Sequence, residues 1–361
     1  MKRLVVTGGG TGGHVTPALA LAEAFLAGGD GREVLYLGSS RGLEAKAAPA
    51  AGIPFRGIPA RGFRGKSITG RILFLTTLLR GFLSAHGALR RFKPDAVLAT
   101  GSYVSAPVIL AARLRGIPLF IQEQNSVPGS VNRLAARSAK AVFIAFPEAE
   151  DYFESAPFLE LLGNPLRAGF HADSVRPGSR PRILITGGSL GARTLCRAAI
   201  EALPALAESF DFEAVLQTGE AELAPTREAL QSLGSKVEVH SFLNDMPARM
   251  AAADLIVGRA GAMTLAEITA LGKPALLIPF PYATDDHQSA NARSLVEAGA
   301  ALLVADDDLD GARLLKELHE LLGDKEGLAN MGRASLSLGR PDAAVRILAR
   351  VENILAASGS R

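Results

Sequence analysis

LVVTGGGTGGH (4–14) and ILITGGSLGAR (183–193) share one grammar. Each is a run of apolar residues, then Thr, two Gly, a turn, a further Gly and the start of a helical stretch. A short apolar run ending in Gly reads as a strand buried on both faces, and Gly lets the chain turn sharply from strand into helix. Each segment is therefore the opening βα unit of a doubly wound α/β domain. The second begins near the middle of the chain, so two such domains stand in tandem.

The same alternation extends outward from both segments. Leu4–Thr7, Val34–Leu37, Ala96–Thr100 and Leu119–Gln122 read as strands in the first half. Arg182–Thr186, Ala214–Gln217, Leu255–Val257 and Ala275–Pro279 do so in the second. Helical patterns such as Pro17–Ala27 and Thr194–Leu203 lie between them. Continuous apolar strands separated by helices indicate parallel sheets covered on both faces. The fold class is α/β, with two Rossmann-like domains at 1–165 and 166–341. A Gly-, Pro-, Ser- and Arg-rich linker lies around Gly163–Pro181. A last helix at about 342–361 packs on either domain as far as the sequence decides, including back on the first. Ligands of open parallel sheets bind beyond the carboxyl ends of the strands. Two such edges facing each other would form a central cleft.

Composition narrows the class. The 361 residues are 48% apolar and 21% charged, which excludes a disordered or charge-dominated chain. Cys196 is the single cysteine, so there is no disulfide framework and no cysteine-ligated metal site, in keeping with a reducing compartment. MKRLVVTGGG enters a strand too soon for a secretory apolar region. No window holds about 18 uninterrupted apolar residues, so no spanning helix is expected and the chain reads as cytoplasmic. Net charge is +3, yet residues 1–166 carry 19 Lys and Arg against 11 Asp and Glu, and the remainder 20 against 25. The basic half either meets something anionic or is a solvated face.

Both glycine turns suit phosphate, because the first amides of the following helix are unsatisfied and carry the positive end of its dipole. A plain tight connection is the alternative. Gly8-x-Gly10-x-x-Gly13 matches a dinucleotide pattern, but the second strand ends in Gly38-Ser39-Ser40-Arg41, without the acidic ribose partner. No Gly-x-x-x-x-Gly-Lys-Ser/Thr loop occurs. A third turn opens GRAGAMTLAEITALGKPALLIPFP, 258–281. Thr264 and Glu267 there have capping-box spacing, or else Glu267 accepts from ribose hydroxyls. Gln288 and Asn291 in TDDHQSANAR are placed on the first turn of a later helix, with Asp285 and Asp286 at its start. Asp306–Asp308 reads as a solvated loop and helix cap, and no metal cluster is evident. In 68–91, Ile68, Ile72, Leu75, Leu79 and Phe82 form one helical stripe framed by Arg61, Arg64, Lys66, Arg71, Arg80, Arg90, Arg91 and Lys93. That stripe is either core or a peripheral surface for anionic lipid.

GGGTGGHVTPALALA, YVSAP, QEQNSVPG, GNPLR, GGSLGAR, FLNDM, GRAGAMTLAEI and DDHQSANA follow one another across almost the whole chain. With them the sequence resembles the MurG family, inverting two-domain nucleotide-sugar transferases of GT-B architecture that add N-acetylglucosamine to lipid I to give lipid II. The resemblance implies that the C-terminal domain holds UDP-N-acetylglucosamine. Leu243 would lie by the uracil, and Ala262, Met263, Thr264, Leu265, Ala266 and Glu267 would wrap the nucleotide, with Glu267 on the ribose. Ser189 and Arg167 would meet the diphosphate, and Gln288 and Asn125 the sugar, to which amides are suited as both donors and acceptors. Thr11, Gly12 and Gly13 would border the diphosphate or the acceptor. His14 is the first candidate base, since its ordinary pKa is near neutrality, or it binds phosphate; Glu123 is the second candidate. Thr100-Gly101-Ser102-Tyr103 departs from the family's Gly-x-Gly-Gly-Tyr turn.

The reaction implied is attack by the C4 hydroxyl of lipid-linked N-acetylmuramic acid on the anomeric carbon, with inversion and loss of UDP, and no cofactor or metal. The partners implied are UDP-N-acetylglucosamine, lipid I and the anionic cytoplasmic face of the membrane, where the protein would be peripheral; nucleic acid is not among them. The alternatives are a transferase for another lipid acceptor such as diacylglycerol, a UDP-N-acetylglucosamine 2-epimerase, or a binding module without catalysis.

Overall fold

The computed structural model describes residues 1–62, 67–170, 180–188 and 191–359. The chain forms two compact units, Met1–Ala168 with Arg340–Arg361, and Gly169–Gly339. In the first, β1 (Arg3–Thr7), α1 (Gly12–Ala27), β2 (Glu33–Ser39), α2 (Glu44–Ala50) and β3 (Phe55–Ile58) precede a long α3 (Ile68–Phe92). Then come β4 (Ala96–Ala99), α4 (Ala106–Leu114), β5 (Leu119–Glu123), α5 (Ser130–Ala136), β6 (Ala141–Ile144) and β7 (Leu159–Leu161). Their sheet is parallel, in the order β3-β2-β1-β4-β5-β6-β7.

Successive residues of these strands feed opposite faces, as a two-residue period requires. Leu4, Val6 and Tyr36 join a cluster with Val15, Leu19 and Phe25 of α1. Val5, Leu37 and Val97 join another with Leu89 of α3 and Val108 of α4.

The second unit repeats the scheme. It contains β8 (Arg182–Thr186), α6 (Arg193–Ser209), β9 (Glu213–Gln217), α7 (Leu223–Ala229), β10 (Val237–His240), α8 (Met246–Ala252) and β11 (Leu255–Gly258). It continues through α9 (Ala262–Ala270), β12 (Ala275–Leu277), α10 (His287–Glu297), β13 (Ala301–Leu303), α11 (Gly311–Gly323) and α12 (Lys325–Leu338). Its parallel sheet runs β10-β9-β8-β11-β12-β13. In both sheets the order reverses beside the first strand, between β1 and β4 and between β8 and β11. Such switch points leave a crevice at the carboxyl edge, where the two glycine turns emerge.

The final helix, α13 (Ala343–Gly359), belongs to the first unit. Its Ile347, Leu348 and Val351 complete the apolar cluster over α1. Arg350 pairs with Glu160 at 2.8 Å, and Glu352 with Arg32 at 3.1 Å.

Helix α3 divides the apolar stripe between core and solvent. Its amino end is capped by Ser67, whose Oγ accepts from Gly70 N at 3.1 Å. Its carboxyl half is core: Ala85, Ala88 and Leu89 are buried. Its amino half is not, since Ile72, Leu75, Leu79 and Leu83 are 56–60% exposed. Phe82 turns away from them, half-buried against His86. Thr69–Phe92 is by length and composition alone long and apolar enough to cross a bilayer, with a mean hydropathy of 1.4. Of the basic frame, Arg64 and Lys66 lie outside the described residues, and so does the side chain of Ile68.

Candidate functional site

The first turn is shaped by close approach at the switch point. A Cβ on Gly8 would collide with Thr100 Oγ1 of the neighbouring strand end. With no Cβ there, Thr100 Oγ1 reaches the carbonyl of His14 at 2.7 Å. Tyr36 donates to Gly8 O at 3.0 Å; burial, with Glu44 beside it, pushes the ionisation of its phenol up, so it remains a donor. The buried Glu44 supports the turn from beneath, accepting from Ser39 N at 2.8 Å and Gly10 N at 3.3 Å. Thr11 is the N-cap of α1 but makes no side-chain cap bond, which leaves the amides of Gly12 and Gly13 for an anion. Thr11 and Gly13 are exposed, and Tyr103 overlies Gly10.

His14 stands on the first turn of α1, half-buried. Its Nδ1 is 2.8 Å from Thr100 O and 2.7 Å from Gln124 Oε1. Oxygen acceptors on Nδ1 give that atom the proton and leave Nε2 with the lone pair in the neutral ring.

Glu123, the second candidate base, is occupied differently. It is fully buried, and its carboxylate accepts from Gln124 N at 2.9 Å, Asn125 N at 3.0 Å, Gly129 N at 3.3 Å and Asn132 Nδ2 at 2.8 Å. A carboxylate so engaged holds the 124–129 loop, and with it Asn125.

Arg167 is exposed and lies in the first unit near Glu23 of α1. Burial raises the Glu23 carboxyl above the usual range, against the opposing pull of Arg167. Ser102, the departure in the β4 turn, adopts φ +73°, and Gly101 beside it +99°. The chain there keeps a conformation that favours Gly even though the residue is Ser.

In the second unit, Gly191 has φ +77° and approaches the Thr218 carbonyl so closely that a side chain is excluded. Ala192 caps α6 without a side-chain bond. Ser189, expected at the diphosphate, lies outside the described residues. Gln217, which the sequence did not single out, ties the turn to the next loop. Its Nε2 donates to Gly188 O at 2.8 Å, and its Oε1 accepts from Leu243 N at 3.2 Å. The Leu243 amide is thereby engaged, and its side chain is buried.

Helix α9 starts at Ala262 with Gly261 as N-cap, so Thr264 is inside the helix and the capping-box reading fails. Ala262, Met263 and Leu265 are buried, whereas Thr264, Ala266 and Glu267 are half-buried. The 3.6-residue period thus turns only part of 262–267 away from the core.

Gln288 accepts from Phe280 N at 2.9 Å through Oε1, which leaves its amide nitrogen to donate. The residues before it, Asp285 and Asp286, are both left-handed, at φ +53° and +49°. Asn291 is buried.

Arg259 was also missed. Its Nη1 reaches Ile278 O at 3.2 Å, Pro279 O at 3.1 Å and Asp306 Oδ1, while Asp306 Oδ2 accepts from Thr194 at the start of α6. Asp306 is therefore a clamp between strand ends instead of a solvated loop residue, and α11 is capped by Asp310. A strand-terminal Arg within a Gly-rich turn was the available signal. Its partner, 47 residues away, was not. Among the described residues no group of three metal-ligating side chains occurs.

Paired parallel α/β units with uncapped glycine turns at their carboxyl edges are the architecture of the two-domain nucleotide-sugar glycosyltransferases. The N-terminal domain model of glycosyltransferase family 28 matches residues 4–144, and the C-terminal domain model residues 182–347. The chain belongs to glycosyltransferase family 28. It is 44% identical over 349 residues to the UDP-N-acetylglucosamine--N-acetylmuramyl-(pentapeptide) pyrophosphoryl-undecaprenol N-acetylglucosamine transferase of Anaeromyxobacter dehalogenans, covering 96% of this chain and 91% of that one. The crystal structure of Acinetobacter baumannii MurG superposes with a TM-score of 0.79 at 30% identity, covering 98% and 100%. A Neisseria meningitidis UDP-GlcNAc 2-epimerase shares the fold alone, with a TM-score of 0.69 at 17% identity and coverage of 98% and 100%.

Proposed function

We infer that this chain transfers N-acetylglucosamine from UDP-N-acetylglucosamine to lipid I, giving lipid II. The observation that carries the reading is near-full-length likeness to transferases of that name. The C4 hydroxyl oxygen of the muramic acid residue attacks the anomeric carbon and gives its proton to His14 Nε2. The glycosidic carbon–oxygen bond breaks with inversion, and its electron pair leaves on the diphosphate of UDP. Amides at the open helix starts, with Ser189 and Arg167, offset that charge without a metal. Glu267 binds the ribose, Leu243 borders the uracil, and Gln288 and Asn125 read the sugar. Glu123 acts by holding Asn125 in place.

Acceptor-dependent UDP release tests the reading: UDP should form from UDP-N-acetylglucosamine only when lipid I is added. Release with diacylglycerol in its place, or formation of UDP-N-acetylmannosamine without an acceptor, would assign one of the rival activities. His14→Ala should lower kcat by about 10²-fold or more while changing donor KM far less. Preserved turnover at saturating donor, with donor binding lost, would make His14 a phosphate ligand instead.

The exposed leucines of α3, with Arg71 and Arg80 beside them, form a peripheral surface for the anionic cytoplasmic face of the membrane. The helix lies on that face and does not span it, because its other half is packed in the core of the first unit. This surface brings the enzyme to its lipid-linked acceptor.

A further inference from the structure

We propose that Gln124 is a positioning residue for His14, holding the ring so that Nε2 faces the acceptor hydroxyl; this rests on reading His14 as the base. The Gln124 side chain is buried at the end of β5, and its Oε1 is 2.7 Å from His14 Nδ1. Three buried amides in series decide that its oxygen, and not its nitrogen, meets the ring. Gln124 Nε2 donates to the backbone carbonyl of Gln122 at 2.8 Å and to Gln122 Oε1. Gln122 Nε2 donates in turn to Glu123 O at 3.1 Å and Asn164 Oδ1 at 2.9 Å. Asn164 Nδ2 closes the series on Gln124 O at 3.1 Å.

Every amide nitrogen in the series meets a backbone carbonyl, which can only accept. Reversing any one amide would set oxygen against oxygen in a buried site, at the cost of an unsatisfied polar group. The direction of the whole series is therefore set by the backbone, and it ends by presenting an acceptor to His14 Nδ1. When Nε2 takes the hydroxyl proton, the new positive charge is shared with Nδ1–H. That group already lies between the oxygens of Gln124 and Thr100, so both hydrogen bonds become charge-assisted. The QEQN motif thus has a division of labour, in which Glu123 holds the loop and Gln124 orients the base.

The test is a double-mutant cycle on the full chain, with lipid I and UDP-N-acetylglucosamine as substrates. Gln124→Leu is close in size and has no acceptor. It should lower kcat about tenfold, as loss of a hydrogen bond to a charged group does, and leave donor KM within about twofold of the parent. In the His14→Ala background the same substitution should have no further effect, because Gln124 acts only through the ring. A kcat for Gln124→Leu within about twofold of the parent, with His14→Ala crippled, overturns the positioning role alone. Equal losses in both backgrounds also overturn it, in favour of a structural role. Near-normal kcat in His14→Ala overturns the base reading, and the proposal with it. Should Gln124→Leu fail to fold, ring-nitrogen NMR of the histidine-labelled parent decides. A neutral His14 protonated at Nδ1 supports the proposal, and one protonated at Nε2 overturns it.

Discussion

Ser102 carries the clearest residue-scale consequence. A left-handed backbone costs an L-residue roughly 1–2 kcal/mol, less for a small polar one, and here it is adopted at φ +73°. The Ser hydroxyl recovers part of this cost by accepting from Val104 N at 3.3 Å. Ser102→Gly should raise unfolding free energy by about 0.5 kcal/mol, and Ser102→Val should lower it by about 1 kcal/mol or more. Denaturant unfolding of the two variants checks the order, and a Val variant as stable as the parent would remove the strain. The sequence marked this position as a departure from the family turn, but the backbone angle is visible only in the fold. The same holds for Glu123 and His14. Both were legible as candidates, and only the fold shows the donors on the Glu123 carboxylate and the two oxygens at His14 Nδ1.

At the scale of the element, α3 shows why periodicity alone did not separate core from surface. An apolar stripe identifies a helix face, but what covers that face depends on the neighbouring helix. Here α4 and the sheet cover the carboxyl half only. Leu75→Ser with Leu79→Ser should leave unfolding free energy within about 0.5 kcal/mol per site, since both side chains are already in solvent. Co-sedimentation with anionic vesicles should fall by about tenfold or more, because each leucine buries roughly 1.5–3 kcal/mol of apolar surface on leaving water. Unchanged vesicle binding, or a loss of several kcal/mol in stability, would return the stripe to an internal role. Helix α9 teaches a related lesson: Thr264 and Glu267 have cap spacing, yet the helix starts two residues before Thr264, because Gly261 already supplies the extended N-cap backbone.

At the scale of the whole molecule, each switch point is fastened by contacts between residues far apart in sequence. In the second unit Arg259 and Asp306 are 12% and 11% exposed, so removing one partner leaves the other charge largely out of water. Asp306→Asn should cost about 3 kcal/mol of stability. Arg259→Met with Asp306→Asn should cost less than the sum of the two single changes, as unfolding of all three variants would show. Additive losses would mean that the pair is not coupled. The sequence by itself determined the α/β class, the doubling of the glycine-turn motif and most strands of both sheets. These follow from local apolar runs and from the backbone freedom of Gly, which need no knowledge of distant residues. It also supplied the candidates at the strand ends, since ligands of open parallel sheets bind there. Only the tertiary structure decided that the last helix closes the core of the first unit, that Asp306 is a clamp, and that His14 Nδ1 lies between two oxygens. Each of these depends on which side chains meet across tens of residues, and a buried polar group takes its role from the partner that satisfies it.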